Sequence, residues 1–296
     1  MSSIKTWLLV VRLPSVLLAV TSVGLGTMLA IWQGTWNLWV GLLAILTAAM
    51  LQIIANLAND YGDFLHGAGV GDRVGEVGDN QLVTFKQLQY AIMLMVCLTL
   101  GCGLLLLNVA RIDCVTFLQF AAIGGIALLA AITYTMGPRP YGYIGLGDMA
   151  VFVFFGFIGV LGTAYLHAQV WHSAYLLPAS SCGCLAVAVL NINNIRDIAL
   201  DTTVGKKTLV VRLGRKAALY YQWLLLSVSI ILLVAFTLIH YQQPWQWIFL
   251  GFTPKLFKNG QMTMRLAAAQ LDDVLQDLVI TQLFLLLVFG LGLVIK

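Results

Sequence analysis

The stretch Asn191-Ile-Asn-Asn-Ile-Arg-Asp-Ile-Ala-Leu-Asp201 carries the densest chemistry in the chain. Asp197 and Asp201 stand four residues apart, and residues at that spacing share a helix face, so both carboxylates can point at one ligand. A related cluster, Asn59-Asp60-Tyr-Gly-Asp63, follows an earlier apolar run. Asn59, Asp60 and Asp63 form one candidate set; Asn193, Asn194, Asp197 and Asp201 form the other. Carboxylate and amide oxygens are hard donors suited to Mg²⁺, which keeps several waters and commonly bridges protein carboxylates to substrate phosphates. A single aspartate in such a place is ordinarily a cap or turn residue. Two similar clusters at a membrane boundary are instead a functional signal.

Cations accompany both clusters. Arg196, Lys206, Lys207 and Arg212 follow the second, and Arg73 follows the first. Mg²⁺ with Lys and forked Arg is the equipment a diphosphate calls for, although most of these residues also serve as topology signals at lipid headgroups. Lys207 and Arg212 are the better ligand candidates, because Thr208-Leu-Val-Val between them resumes an apolar pattern. Arg12, at the start of the first apolar run, is open to both readings.

A third constellation runs Tyr134-Thr-Met-Gly-Pro-Arg139-Pro-Tyr141-Gly-Tyr143-Ile-Gly-Leu-Gly-Asp148. Its prolines and glycines forbid a regular helix, and a stiffened loop of this kind can lie over a cavity as a lid. Tyrosine faces can stabilise a carbocation, and Arg139 can pair with an anion. Isolated tyrosines at such a place are commonly an interfacial belt. That reading explains the combination less well.

The elements that must position these residues are membrane helices. Of 296 residues, 60% are hydrophobic and only 9% charged, against about 25% charged in a soluble domain. Repeated long apolar runs make the chain a polytopic all-α membrane protein. Nine spans fit, at about 14–32, 38–58, 87–108, 114–136, 148–168, 174–194, 218–239, 244–257 and 278–295. The eighth is short and interrupted by Pro254-Lys255. With the N-terminus cytoplasmic, only Arg111 and Lys296 of the 16 lysines and arginines fall outside, as the positive-inside rule requires. The N-terminal run is too long for a signal peptide and reads as the first span. Both acidic clusters and the tyrosine-rich loop then fall on the cytoplasmic side. The second and sixth spans can continue as helices through their polar motifs. Spans ending in Asn/Asp clusters at 38–63 and 174–201 also suggest a duplicated four-helix unit, which would face the clusters across a central cavity.

Other signals are bland. The cysteines (Cys97, Cys102, Cys114, Cys182, Cys184) have no metal-ligand spacing and read as small apolar packing residues. No P-loop, zincin or nucleophile-elbow motif occurs, and no basic tract suits nucleic acid. Nothing calls for an obligate protein partner.

On these motifs the chain resembles the UbiA superfamily of intramembrane aromatic prenyltransferases, over nearly its whole length. Three segments are similar to its naphthoate-prenylating branch: Asn56-Leu-Ala-Asn-Asp-Tyr-Gly-Asp63, the run from Ile132-Thr-Tyr-Thr to Gly-Leu-Gly-Asp148, and Asn191-Ile-Asn-Asn-Ile-Arg-Asp through Gly205-Lys-Lys-Thr-Leu-Val-Val-Arg-Leu-Gly214. The first marks only the superfamily; the other two are long and specific. The family pattern N-x3-D-x3-D lands on Asn59 and Asp63 but finds Gly67 at its final acid, with Asp72 beside Arg73 as the nearest replacement.

The resemblance implies nine helices around a central cavity opening toward the cytoplasm, as a single domain over 1–296 in a bacterial cytoplasmic membrane. It implies a polyprenyl diphosphate donor held through Mg²⁺ by Asn59, Asp60, Asp63, Asp197 and Asp201. Arg139 and Lys207 would offset charge on the departing diphosphate, and Tyr134 would shield the allylic cation. Asn194, Arg12, Arg73, Arg212, Tyr141, Tyr143 and Asp148 complete the implied substrate contacts. The implied acceptor is 1,4-dihydroxy-2-naphthoate, prenylated with loss of CO2 to give demethylmenaquinone. The same chemistry on 4-hydroxybenzoate or homogentisate is the nearest alternative. A cation-coupled transporter would also use intramembrane acids, but it expects polar access from both faces, whereas the polar loops here lie almost entirely on one.

Overall fold

The computed structural model describes residues 4–65 and 83–295; the expected contacts at Gly67, Asp72 and Arg73 lie outside the described residues. A short helix α1 (Ile4–Val11) leads to α2 (Leu13–Trp32). Between them Arg12 sits in the left-handed region at φ 52°, which L side chains adopt at a cost. Pro14 lies in the first turn of α2, where its missing N–H has no helical partner to lose.

The two helices that carry the acidic clusters are the longest. Helices α3 (Leu38–Leu65) and α8 (Leu176–Thr203) each have 28 residues, or about 42 Å of helix. A hydrocarbon core is only about 30 Å thick, so the surplus turns carry Asp60 and Asp63 on α3, and Asp197 and Asp201 on α8, out of the apolar layer. Helix α4 (Phe85–Val109) opens with a Thr84–Gln87 capping box, and α5 (Cys114–Thr133) with Asp113, whose carboxylate accepts from the N–H groups of Val115 and Thr116. Hydrogen bonding to Thr116 holds the Asp113 carboxyl below its usual range.

The next span starts as α6 (Gly147–Val151), widens into a π-helix over Phe152–Gly162 and ends as α7 (Thr163–Ala168). In the π stretch the Phe155 carbonyl accepts a hydrogen bond from the Ser22 hydroxyl of α2, an inserted side chain of the sort that disturbs a helical ladder. Helix α8 is followed by the short α9 (Leu209–Leu213) and by α10 (Arg215–Ile239). Helix α12 (Leu271–Val294) closes the chain.

Among the described residues eight helices are long and apolar enough to cross a membrane. The expected span at 244–257 departs from this pattern. It is a 3₁₀ helix (Pro244–Phe252) running into α11 (Thr253–Arg265). Pro254 does not interrupt the segment but lies in the first turn of α11, where proline is at home. Lys255, Lys258, Asn259 and Arg265 make α11 too polar to count as an apolar span.

Burial sorts the helices. In the span containing α8, 67% of the apolar window is buried, against 6% for α5. Helix α8 is therefore the axis, and α5 turns Leu118 and Leu129 outward. The main core unites Leu29 of α2, Leu185 and Ile192 of α8, Leu226 and Phe236 of α10, and Phe289 of α12. Asn191 on α8 joins α10 through its amide, which donates to the Ala218 carbonyl at 3.0 Å and to Gln222 at 2.8 Å. Interhelical amide bonds of this kind are a common lock between membrane helices.

One close approach ties the tyrosine loop to α3. A Cβ on Gly62 would lie 2.5 Å from the Thr135 carbonyl oxygen, while the Thr135 hydroxyl donates to the Ala58 carbonyl at 2.9 Å. Gly62→Ala forces helix and loop apart, and such overpacking costs about 1–3 kcal/mol. A lower unfolding temperature in detergent is the expected result. An unchanged midpoint would show that the loop does not depend on this contact.

Candidate functional site

A cavity of about 1610 Å³ runs through the helices. Most of its wall is apolar, with Leu51, Leu104, Leu128, Phe154, Phe155 and Ile158 along it. One end is polar. Asn59 and Asp60 come there from α3, and Asn193, Arg196, Asp197 and Asp201 from α8. Arg12, Lys206 and Asp272 complete the charged lining.

The helical repeat explains which groups of α8 meet. Asn193, Asp197 and Asp201 follow each other at four-residue intervals and share one face. Asn194 is rotated off that face, and it is buried outside the cavity lining. Of the two adjacent amides on α8, Asn193 and not Asn194 lines the cavity.

The carboxylates there are paired with the protein's own cations. Arg12, turned inward at the break between α1 and α2, bonds Asp60. The Arg196 guanidinium grips Asp197 with two bonds, Nε to Oδ1 and Nη2 to Oδ2, both 2.7 Å. It also donates to Asn193 at 2.6 Å and to Asp272 at the start of α12. Lys206 Nζ lies 3.5 Å from Asp201 Oδ1 and 5.5 Å from the centre of the Tyr143 ring. Asp201 and Lys206 are both nearly buried. A buried pair is held at a desolvation cost, which favours partner exchange if a ligand brings compensating charge.

The tyrosine-rich segment folds against this end. Tyr134 and Tyr141 line the cavity with ring centroids 5.3 Å apart, edge to face. The Tyr141 hydroxyl donates to the Ala130 carbonyl at 3.0 Å. Burial, aided by Tyr134, pushes the Tyr141 phenol above its ordinary range, so it stays a neutral donor.

The other expected contacts are placed differently. Arg139 and Lys207 are exposed and do not line the cavity. The backbone N–H of Lys207 donates to the Tyr143 carbonyl at 2.9 Å, which turns its side chain outward and that of Lys206 inward. Arg212 is a clasp between loops, donating to the carbonyls of Lys207 at 3.2 Å and Ile144 at 2.7 Å. Gly145, at φ +79°, lies beneath that clasp, and a Cβ there would come 2.9 Å from the Lys207 carbonyl oxygen. Asp148 is buried outside the lining, with the Tyr221 hydroxyl as a hydrogen-bond partner. Tyr143 supports Lys206 with its ring. The helix containing Asp63 is described, but its side chain lies outside the described residues.

The donor set suits a hard divalent cation by its chemistry, since carboxylate and amide oxygens converge on one cavity end. As the described side chains stand, no three Asp, Glu, His or Cys residues form a ready-made metal cluster. Arg12, Arg196 and Lys206 occupy positions beside the acids that a metal would share. The residues fit such an ion through exchange of ion-pair partners.

Comparison with known proteins places this architecture. Residues 17–272 match the UbiA prenyltransferase family. The chain belongs to that family. Among UbiA relatives, a protein of Escherichia coli (strain K12) named 1,4-dihydroxy-2-naphthoate octaprenyltransferase is 45% identical over 266 residues, covering 89% of this chain and 86% of its own. A protein of the same name from Haemophilus influenzae is 38% identical, covering 99% and 96%. The fold matches a solved UbiA homolog from Aeropyrum pernix K1 with a TM-score of 0.68 at 15% identity, covering 93% of this chain and 96% of that one. A UbiA homolog from Archaeoglobus fulgidus, solved bound to GPP and Mg²⁺, matches with a TM-score of 0.59 at 15% identity, covering 98% and 99%.

Proposed function

We propose that the protein transfers a polyprenyl group from polyprenyl diphosphate to 1,4-dihydroxy-2-naphthoate, releasing diphosphate and CO2 and forming the prenylated hydroquinone, the two-electron-reduced form of demethylmenaquinone. The observation that carries this reading is the joining of a long apolar cavity to one end where four carboxylates and three cations meet (Asp60, Asp197, Asp201 and Asp272 with Arg12, Arg196 and Lys206). The apolar length suits a prenyl tail; the charged end suits a metal diphosphate. The names of the Escherichia coli and Haemophilus influenzae relatives support the naphthoate as acceptor.

In this mechanism Asp60, Asp197 and Asp201, with Asn59 and Asn193 beside them, would hold Mg²⁺, and Asp63 of the same α3 cluster is proposed to join them. The ion, when bound, offsets charge on the diphosphate oxygens. Lys206 and Arg12 turn from their carboxylates, and Arg196 from Asp197, to the diphosphate, where preorganised cations stabilise charge that grows as the allylic C–O bond breaks. Tyr134 and Tyr141 present π faces to the allylic cation, and the apolar wall keeps water from it. The naphthoate ring supplies the electron pair for the new C–C bond, and its carboxylate leaves as CO2.

The distribution of Lys and Arg supports a cytoplasmic polar end in a bacterial cytoplasmic membrane, and the family match over residues 17–272 supports reading 1–296 as one domain. The matched lengths of α3 and α8, each ending in an acidic cluster at one cavity, support the duplicated-unit reading.

The test is incubation of purified protein with the naphthoate, a polyprenyl diphosphate and Mg²⁺, beside 4-hydroxybenzoate and homogentisate. A prenylated, decarboxylated naphthoate product that requires Mg²⁺ is expected. Preference for another acceptor removes the naphthoate assignment; no prenylated product from any of them sinks the reaction class.

A further inference from the structure

Asp272 comes from the first turn of α12 and lies far from both acidic motifs in sequence. Its side chain is 55% exposed, whereas that of Arg196, which it bonds, is 9% exposed. Arg196 thus spans two carboxylates, with Nε and Nη2 on Asp197 and Nη1 on Asp272. A forked guanidinium on both oxygens of Asp197 opposes the approach of a dication, because like charges repel. Metal binding at Asp197 is easier if the guanidinium loosens there while a second anion still holds it.

We propose that Asp272 is a positioning residue acting through Arg196: it retains the guanidinium at the cavity wall while Asp197 turns to the metal, and keeps it aimed at the diphosphate. The inference rests on the reading of Asp197 as a metal ligand. A bland alternative gives Asp272 only a favourable place at a helix N-terminus, and another gives it only a long-range field on the metal. Both predict effects that do not depend on Arg196.

A double-mutant cycle on the purified full-length protein separates these cases, with Mn²⁺ alone as the probe and free Mn²⁺ followed by electron paramagnetic resonance. Asp272→Asn is expected to weaken Mn²⁺ binding about tenfold, within the range of coupling between groups in one ion-pair network. Asp272→Glu restores it to within about twofold, and in an Arg196→Gln background Asp272→Asn changes it by less than about twofold. Size-exclusion profiles confirm folded protein, as expected for a side chain more than half exposed. Unaltered Mn²⁺ affinity in Asp272→Asn overturns the inference, as does a tenfold loss that persists without Arg196. If Asp197→Asn abolishes binding in either of those cases, the metal reading stands and only the role of Asp272 falls. Wild-type protein that binds no Mn²⁺, or Asp197→Asn that binds it normally, overturns both.

Discussion

Asp197→Asn and Asp201→Asn each lower turnover by about 10³-fold, the scale expected when a group that organises transition-state charge is removed. The substitution keeps the shape of the side chain and removes its charge. At Asp197 it also weakens the forked acceptor that Arg196 uses at 2.7 Å. At Asp201 it takes the counter-charge from Lys206, 3.5 Å away. Lys206 lines the cavity, so its ammonium retains access to water and the fold survives. The measurement is single-turnover product formation over a range of Mg²⁺, with thermal unfolding of the same samples. Folded variants that need far more Mg²⁺, or fail at any concentration, support the assignment. Near-normal turnover in both would remove these residues as metal ligands.

Much of the frame could be read before any coordinates. Lys and Arg placement set only an expected orientation, apolar runs gave the helices, and matching acidic clusters named α3 and α8 as the helices to watch. What periodicity could have added was the choice between Asn193 and Asn194: only the former continues the four-residue spacing to Asp197 and Asp201. The segment 244–257 falls outside the eight long apolar helices of the described residues, although its apolar first half resembles a short span. Its continuation through Lys255, Lys258 and Arg265 makes it a composite helix of mixed polarity.

Tertiary structure alone supplies the rest. Asp272 reaches the site because α12 packs beside α8, and no local pattern announces that. Arg196 looked like one more topology signal until its bonds to Asn193, Asp197 and Asp272 showed a nearly buried guanidinium joining α8 to α12. Arg212 and Arg139 carry the charge a diphosphate asks for, but the first is committed to backbone carbonyls and the second is exposed. Residue type identified the chemistry; direction decided which copies of it face the cavity.

The adjacent lysines give the sharpest test of that distinction. Lys206→Met is expected to lower kcat/KM by about 10²-fold, the scale for one preorganised charged donor in a site that excludes water. Lys207→Met stays within about threefold, as surface charges away from a site ordinarily do. The two residues share charge, length and flexibility, so composition cannot tell them apart. Their backbones can. The Lys206 N–H bonds the Asp201 carbonyl at 2.8 Å, and the Lys207 N–H bonds the Tyr143 carbonyl at 2.9 Å. These bonds seat the Lys206 side chain between Asp201 and the Tyr143 ring and leave that of Lys207 exposed. Methionine preserves both backbone bonds and most of the side-chain volume, so the comparison isolates the ammonium. Steady-state kinetics with varied polyprenyl diphosphate at saturating naphthoate and Mg²⁺ provides the readout. A larger loss in Lys207→Met than in Lys206→Met would return the diphosphate to the exposed lysine and require the loop at 204–208 to rearrange when substrate binds.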